Sequence, residues 1–398
     1  MNFKFTQEQE TLRKEFREFF EKETSPDLLA QQIEEQDCVN PFSEELFKKI
    51  AERGWLGLMF PEEWGGLGKG HLEHFIFMEE LERSGTVSWA MMDSVSITVN
   101  VFGHQLLNYG TEEQKKTWIP KILKGEVRIV VGLTEPNAGS DLAALESKAE
   151  EEGDYFILNG SKIFNAGWLC THIFTLVKTD WKIVPKHKGM SYFLVPLDTP
   201  GVTVDSNLMT HGKCRRSVVT YENVKVPKAN MMGKMNDGFY MAMRGFAFER
   251  LQFVGGAKVV HMFNELIDFV KKTQWDGKLL ADVPDIRYKL ADIATEIEIG
   301  RLLSFKGAWQ VDYREPSLID SSLSWLNGNE AFDRISNAMM DILGEYGLLE
   351  SWGKEKKWVP LRGKVAMGWL DSRALTVGGG TSEIIRNAIA GRLGLPRN

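Results

Sequence analysis

The sequence is poor in cysteine, in net positive charge and in long apolar runs, and each shortage closes off a class of protein. Its three cysteines, Cys38, Cys170 and Cys214, are odd in number and far apart. They make neither a disulfide framework nor a zinc-ligand spacing, which favours a reducing compartment, the cytoplasm. No apolar run approaches the roughly 20 residues that span a bilayer, so no membrane insertion is expected. The stretch from Met1 to Glu8 is charged and carries no apolar h-region, so no secretory signal is expected. A formal net charge of −7 excludes a general nucleic-acid binder. It leaves room for an anionic ligand, which a few local Lys or Arg residues or a helix N-terminus can hold. The seven histidines show no His-x-x-x-His or His-x-His pattern. His71 and His74 are three apart, but no carboxylate-rich loop completes a site, so they read as solvated helix-face residues and no metal is expected. There is no Gly-x-Gly-x-x-Gly and no alternating βαβ pattern, which argues against a dinucleotide fold of the doubly wound kind.

What is present is a globular composition. The chain has 398 residues, 43% hydrophobic and 26% charged, enough for two or three domains. The first third has helical periodicity. Thr6 before Glu8 and Glu10 reads as a cap with an acidic first turn, and Leu12, Phe16, Phe19 and Phe20 recur at helical spacing. Further helices are expected over 41–53, 72–84, 87–109 and 111–123, with a glycine-rich loop from Pro61 to Gly68. From about Glu126 to Val226 the pattern turns to strands. Tyr155 to Phe164 reads as a hairpin whose two-residue turn is Asn159-Gly160. Other strands are expected over 173–178, 191–196 and 217–226. Helical pattern returns at Asn236 and predicts helices over 236–272, 287–313, 318–344 and 382–393, with Leu290, Ile293, Ile297 and Leu302 facing inward on the second. The order is therefore α, then β, then α, a multidomain α+β chain.

The most informative stretch is Leu133-Thr134-Glu135-Pro136-Asn137-Ala138-Gly139-Ser140-Asp141, directly after the strand-like Val127 to Val131. A buried strand empties into a turn of short hydroxyls and backbone N–H groups, a place where a planar, carbonyl-rich ligand can be held. The string resembles the flavin-contacting signature of the acyl-CoA dehydrogenase family. Four other stretches match the family in order: Pro61 to Gly66, Asn159 to Lys162, Asn223 to Pro227 with Gly233, and Gly379 to Ile384. The resemblance covers essentially the whole chain. It implies an N-terminal helical domain (1–124), a middle β-barrel domain (125–235) and a C-terminal four-helix bundle (236–398).

The family binds FAD and oxidises an acyl-CoA thioester to its enoyl-CoA. A carboxylate removes the α-proton while the β-hydrogen leaves as hydride to flavin N5, and donors receive the enolate charge at the thioester oxygen. By this resemblance Leu133, Thr134, Gly139 and Ser140 lie at the flavin, with Ser140 also on the substrate channel. Phe164, Asn165 and Ala166 form the second flavin-side strand, departing from the common Trp-x-Thr or Trp-x-Ser. Thr381 and Glu383 lie at the FAD diphosphate and ribose, at a helix N-terminus.

The base departs further. Many members carry Glu-Gly-Thr in the last loop, where this chain has Gly379-Gly380-Thr381. Gly379 can still offer its N–H to the thioester oxygen. A branch resembling isovaleryl-CoA dehydrogenase places the base on a helix, and Phe246-Ala247-Phe248-Glu249-Arg250 matches that context. Glu249 is then the base, and Arg250 lies near the CoA. Asp93, after Trp89, Met91 and Met92, is the alternative or second base, or a contact for a polar acyl tail. In Thr273 to Lys278 the Arg that reaches a neighbour's FAD is missing. These departures resemble the bacterial branch handling bulky, steroid-derived or dicarboxylic acyl groups. The resemblance implies a homotetramer, with a hetero-oligomer as the alternative, and electron-transfer flavoprotein as acceptor. A non-catalytic partner subunit and an oxidase are the competing readings.

Overall fold

A computed structural model describes residues 3–25, 27–28, 31–32, 42–84, 91, 94–208, 215–250, 257–314, 317–349 and 359–395, apart from the side chains at 208, 215, 247–249, 257 and 258. Its main helices, in chain order, are α1 (Gln7–Glu23), α2 (Glu44–Glu52), α3 (His71–Arg83), α4 (His104–Tyr109), α5 (Glu112–Leu123), α6 (Gly238–Glu249), α7 (Ala257–Lys272), α8 (Pro284–Tyr313), α9 (Leu318–Leu343), α10 (Lys364–Leu375) and α11 (Ser382–Arg392). The strands are β1 (Ile129–Gly132), β2 (Lys148–Glu152), β3 (Tyr155–Asn165), β4 (His172–Lys178), β5 (Met190–Pro196), β6 (Val202–Leu208), β7 (Arg215–Pro227), β8 (Met231–Met232) and a small pair, β9 (Gln274–Trp275) and β10 (Lys278–Leu279). They divide into two compact units. One comprises Met1–Pro26, His71–Val87 and Arg250–Asn398; the other comprises Asp27–Gly70 and Ser88–Glu249. No helix among the described residues is long and apolar enough to cross a membrane.

In the first unit, α1 begins where its cap dictates. Thr6 accepts from the Gln9 backbone N–H, and the Gln9 side chain accepts from the Thr6 N–H, so two otherwise unpaired donors are satisfied. Phe16 and Phe20 then pack on Phe77 of α3 at ring distances of 5.2 and 5.8 Å. Burying each such ring is worth about 1.5–3 kcal/mol. The α3 helix also buries Glu79, Glu80 and Glu82. Glu80 is answered by Arg13 and Arg17 of α1, and Glu79 by Arg13 and by Arg301 of α8. Asp312 of α8 caps α3 by accepting from the N–H groups of His71 (2.7 Å) and Leu72 (2.9 Å). The histidines are not solvated as expected. His74 is 4% exposed and faces Phe77, and His71 is half-buried with Nδ1 on Asp312. On α8 only Ile293 of the four expected inward residues is fully buried; Leu290, Ile297 and Leu302 are half-buried.

In the second unit, the β-rich segment forms an eight-stranded sheet in the order β6-β7-β3-β2-β4-β5-β8, with β1 alongside β4. Its core includes Phe156, Leu158, Phe193, Val219 and Tyr221. The long β3 is paired antiparallel with both β2 and β7. Asn159-Gly160 is therefore no hairpin turn. The chain runs straight through it, with a register shift between Leu158 and Gly160. Gly160 sits at φ +140, and a Cβ there would stand 2.3 Å from Ser147 Oγ, so glycine answers a close strand crossing rather than a reversal. The reversal lies at Gly153-Asp154, between β2 and β3. Within the helix expected over 87–109, Ser96–Gly103 is a π-helix rather than an α-helix, and Thr98 accepts there from the N–H of Ile129 at the start of β1.

Candidate active site

The candidate residues of the β unit begin where β1 ends. Val130 is buried and Gly132 closes the strand, after which Leu133 and Thr134 are half-buried. Glu135 to Ala138 is a tight turn closed in both directions, Glu135 N–H to Ala138 O (2.9 Å) and Ala138 N–H to Glu135 O (3.2 Å). Pro136 suits its second position because its φ is already set. Past the turn, Gly139 and Ser140 are exposed, and no atom lies within 4 Å of a Cβ built at Gly139.

This turn is fastened to β3 by two neighbouring residues. The N–H of Ile163 donates to Thr134 O at 2.9 Å. The ammonium of Lys162, fully buried, donates to Glu135 Oε1 at 2.6 Å and to Leu133 O at 3.2 Å. Glu135 is also buried and accepts from the backbone N–H groups of Glu146 and Ser147. Burial alone would raise its pKa, but the Lys162 charge and these donors outweigh it and hold Glu135 below the usual carboxylate range. Burial pushes Lys162 down to about 8, against the pull of Glu135.

Phe164 follows immediately. It adopts φ +62, a left-handed conformation that costs a bulky L-residue energy, and the residue is 71% exposed. A second register shift, between Lys162 and Asn165, accompanies it. Asn165 braces this bulge: its Nδ2 donates to Lys162 O and its Oδ1 accepts from Gly167 N–H. The fold thus spends strain to stand an aromatic ring on its surface beside the Leu133–Ser140 turn.

The other candidate residues lie in the helical unit. Thr381 is the N-cap of α11 and its Oγ1 accepts from the N–H of Ile384 at 3.2 Å. Glu383 lies exposed in the first turn. Backbone N–H donation and the Thr381 hydroxyl lower its pKa, so it is a carboxylate at a helix N-terminus. Gly379 and Gly380 both have positive φ, +65 and +102. A Cβ on Gly379 would stand 2.3 Å from Cζ2 of Trp325 on α9. Arg250 touches the same loop, donating to Ser322 Oγ (3.2 Å) and, at a long 3.5 Å, to Gly379 O.

Of the residues singled out from sequence, Leu133, Thr134, Gly139 and Ser140 lie on the turn after β1, which Lys162 and Ile163 join to the strand carrying Phe164; Ala166 packs against the sheet core, and Asn165 is buried with its side chain used on the bulge. Gly379, Thr381 and Glu383 come together with Arg250 on the helical unit. Asp93 lies outside the described residues, as does the side chain of Glu249, whose backbone ends α6. Lys162 and Glu135 were missed as site residues although both stand inside quoted motifs; the signal was a lone Lys in a strand opposite a lone Glu in a turn. The candidate residues of the β unit fit FAD: an exposed Phe164, open space at Gly139 and half-buried Leu133 and Thr134 are what a planar ring system needs. Leu133, Thr134, Phe164 and Ala166 would line it.

The chain matches three domain families in order: acyl-CoA dehydrogenase, N-terminal domain, over residues 6–126, middle domain over 130–224 and C-terminal domain over 236–394. It is 32% identical to the caffeyl-CoA reductase-Etf complex subunit CarC of Acetobacterium woodii, across 98% of this chain and 99% of that one. It is 32% identical to the probable acyl-CoA dehydrogenase YngJ of Bacillus subtilis, across 99% and 100%. Its fold is similar to that of the Tcur3481-Tcur3483 steroid ACAD, with a TM-score of 0.88, 29% identity and all of both chains covered. The chain belongs to the acyl-CoA dehydrogenase family, FAD-binding oxidoreductases that act on acyl-CoA.

Proposed function

We propose that the chain dehydrogenates a bulky, branched or cyclic acyl-CoA to the enoyl-CoA, with Glu249 as the base that takes the α-proton. The crowding at Gly379 carries this reading. Where many family members have a loop Glu, a side chain here would run into Trp325. The carboxylate must come from another element, and Glu249, flanked in sequence by Phe246, Phe248 and Phe253, supplies one. Apolar surroundings raise a carboxylate's proton affinity and suit it to proton abstraction. Asp93 is the alternative base.

Gly379 offers its N–H where enolate charge develops on the thioester oxygen. Arg250 steadies that loop through its bonds to Ser322 and the Gly379 carbonyl. Bound FAD supplies the hydride acceptor. Thr381 and Glu383 lie toward its diphosphate and ribose, and Ser140 toward the substrate.

The relatives support the finer points. One is named for a steroid and another for a caffeyl group, both ring-bearing. The second is named as part of an Etf complex, which supports electron-transfer flavoprotein as the redox partner. The assembly is proposed as a homotetramer, with a pair of unlike chains as the alternative. The CarC likeness also favours a second reading, in which the same site runs in reverse and reduces an enoyl-CoA.

Anaerobic titration of the purified holoprotein with linear, branched, ring-bearing and dicarboxylic acyl-CoAs, read by flavin absorbance, tests the first reading. Bleaching by a ring-bearing or branched compound is expected. Bleaching by linear short chains alone overturns the substrate class. Failure of every acyl-CoA to bleach, with reoxidation of the dithionite-reduced protein by an enoyl-CoA, favours the reductive reading; failure of both leaves a non-catalytic subunit.

A further inference from the structure

We infer that Lys162 is a positioning residue for the flavin: anchored by Glu135, its ammonium grips the Leu133 carbonyl from inside the protein and so orients and polarises the Leu133–Thr134 peptide whose N–H faces the other way. This rests on placing FAD against the Leu133–Ser140 turn.

The geometry has three parts. First, Lys162 is fully buried and donates to Leu133 O and to Glu135 Oε1. Second, the Leu133–Thr134 bond is trans, since the only cis peptide among the described residues is Val184-Pro185. In a trans peptide C=O and N–H point in opposite directions, so a carbonyl aimed inward at Lys162 aims the Thr134 N–H away from it. Third, the next carbonyl, Thr134 O, is held by Ile163 N–H, so the turn cannot roll. A cation bonded to the carbonyl oxygen draws electron density from the amide and makes its N–H a stronger donor. Lys162 and Ile163 are followed at once by the exposed, left-handed Phe164. One short strand segment therefore sets the peptide and the ring together.

Glu135 explains why a lysine can be there. An ammonium sealed from water needs a counter-charge, and the carboxylate is itself satisfied by the Glu146 and Ser147 N–H groups. If charge balance were the whole role, a neutral replacement of both partners would restore everything.

The experiment compares wild type, Lys162→Met, Glu135→Gln, the Glu135→Gln/Lys162→Met double variant and Phe164→Ala. Each is measured for thermal midpoint, for FAD affinity on reconstitution of the apoprotein, and for the positions of the bound-flavin absorption bands. The double variant leaves no buried charge from this pair and carries the test even if Lys162→Met fails to fold. The expected result is that the double variant regains thermal stability over Lys162→Met, binds FAD about tenfold or more weakly and has shifted flavin bands. Wild-type FAD affinity and bands in the double variant, with Phe164→Ala impaired, overturn the role of Lys162 while leaving FAD at this turn. Wild-type FAD binding in both variants overturns the placement of FAD and the inference with it.

Discussion

Gly379 and Trp325 exclude one another's extension: a Cβ on the glycine would stand 2.3 Å from the indole Cζ2. The glycine also has φ +65. Gly379→Ala therefore meets both a steric and a conformational penalty, and is expected to cost about 1–3 kcal/mol. Gly379→Glu should fare worse and gain no catalytic function. Trp325→Leu in the Gly379→Ala background should recover part of the loss. Thermal unfolding of the two single variants and the double variant checks this; additive losses would show that Trp325 does not oppose the new side chain.

In the proposed function, with a side chain at Gly379 opposed by Trp325, Glu249 is the base. Glu249→Gln is expected to keep FAD bound and to slow substrate-dependent bleaching by about 10²–10⁴-fold, the usual worth of a general base. Stopped-flow absorbance under anaerobic conditions measures it. Unchanged bleaching would move the role to Asp93, whose Asn variant is the next comparison.

Stability should fall in acid in two stages. Burial lowers His74 from 6.5 to about 3, with His71 adding to the effect, so it stays neutral in the fold while the unfolded chain takes up a proton below 6.5. Stability from this group is intact above pH 6.5 and declines as pH falls toward 3, by about 1.4 kcal/mol per pH unit for one proton. Burial alone would raise Glu80, but Arg17 and Arg13 outweigh it and hold it below 4.5, so its contribution is lost below that pH. His172, lowered by burial to about 4, adds to the same slope, so urea unfolding from pH 7 to 4 should show the combined loss and His74→Leu should reduce it by about one proton's worth. An unchanged slope would remove His74 from the account.

The ends of many elements could be read from local chemistry, because caps and periodic apolar residues act at short range. Thr6 with Gln9 and Thr111 with Gln114 are such cases. Two similar dipeptides show where local reading stops. Asp276-Gly277 is a tight hairpin turn with φ +46 and +75, while Asn159-Gly160 runs through the middle of β3. Pairing with β2 on one side and β7 on the other decides the second case, and those partners lie up to 64 residues away. The turn after β1 was legible because its Pro, Gly and short polar residues are themselves turn-forming types. The Lys162–Glu135 pair was not, because a buried ion pair differs from a surface one only in what surrounds it. The closure of Gly379 was equally hidden, since Trp325 lies on another helix.

If FAD lies against the Leu133–Ser140 turn as proposed, Phe164 affects stability and function in opposite senses. Its left-handed backbone and its exposure both cost the fold. Phe164→Gly removes the steric objection to φ +62 and the exposed apolar surface together. It also frees the unfolded backbone, which offsets part of the gain. The net expectation is an apoprotein at least as stable as wild type, by up to about 1 kcal/mol. The same variant should bind FAD more weakly, because the ring face is gone. Denaturant titration of the two apoproteins, followed by FAD reconstitution, separates the effects. An apoprotein destabilised by more than about 1 kcal/mol would mean that the ring packs on its own protein rather than waiting for a ligand.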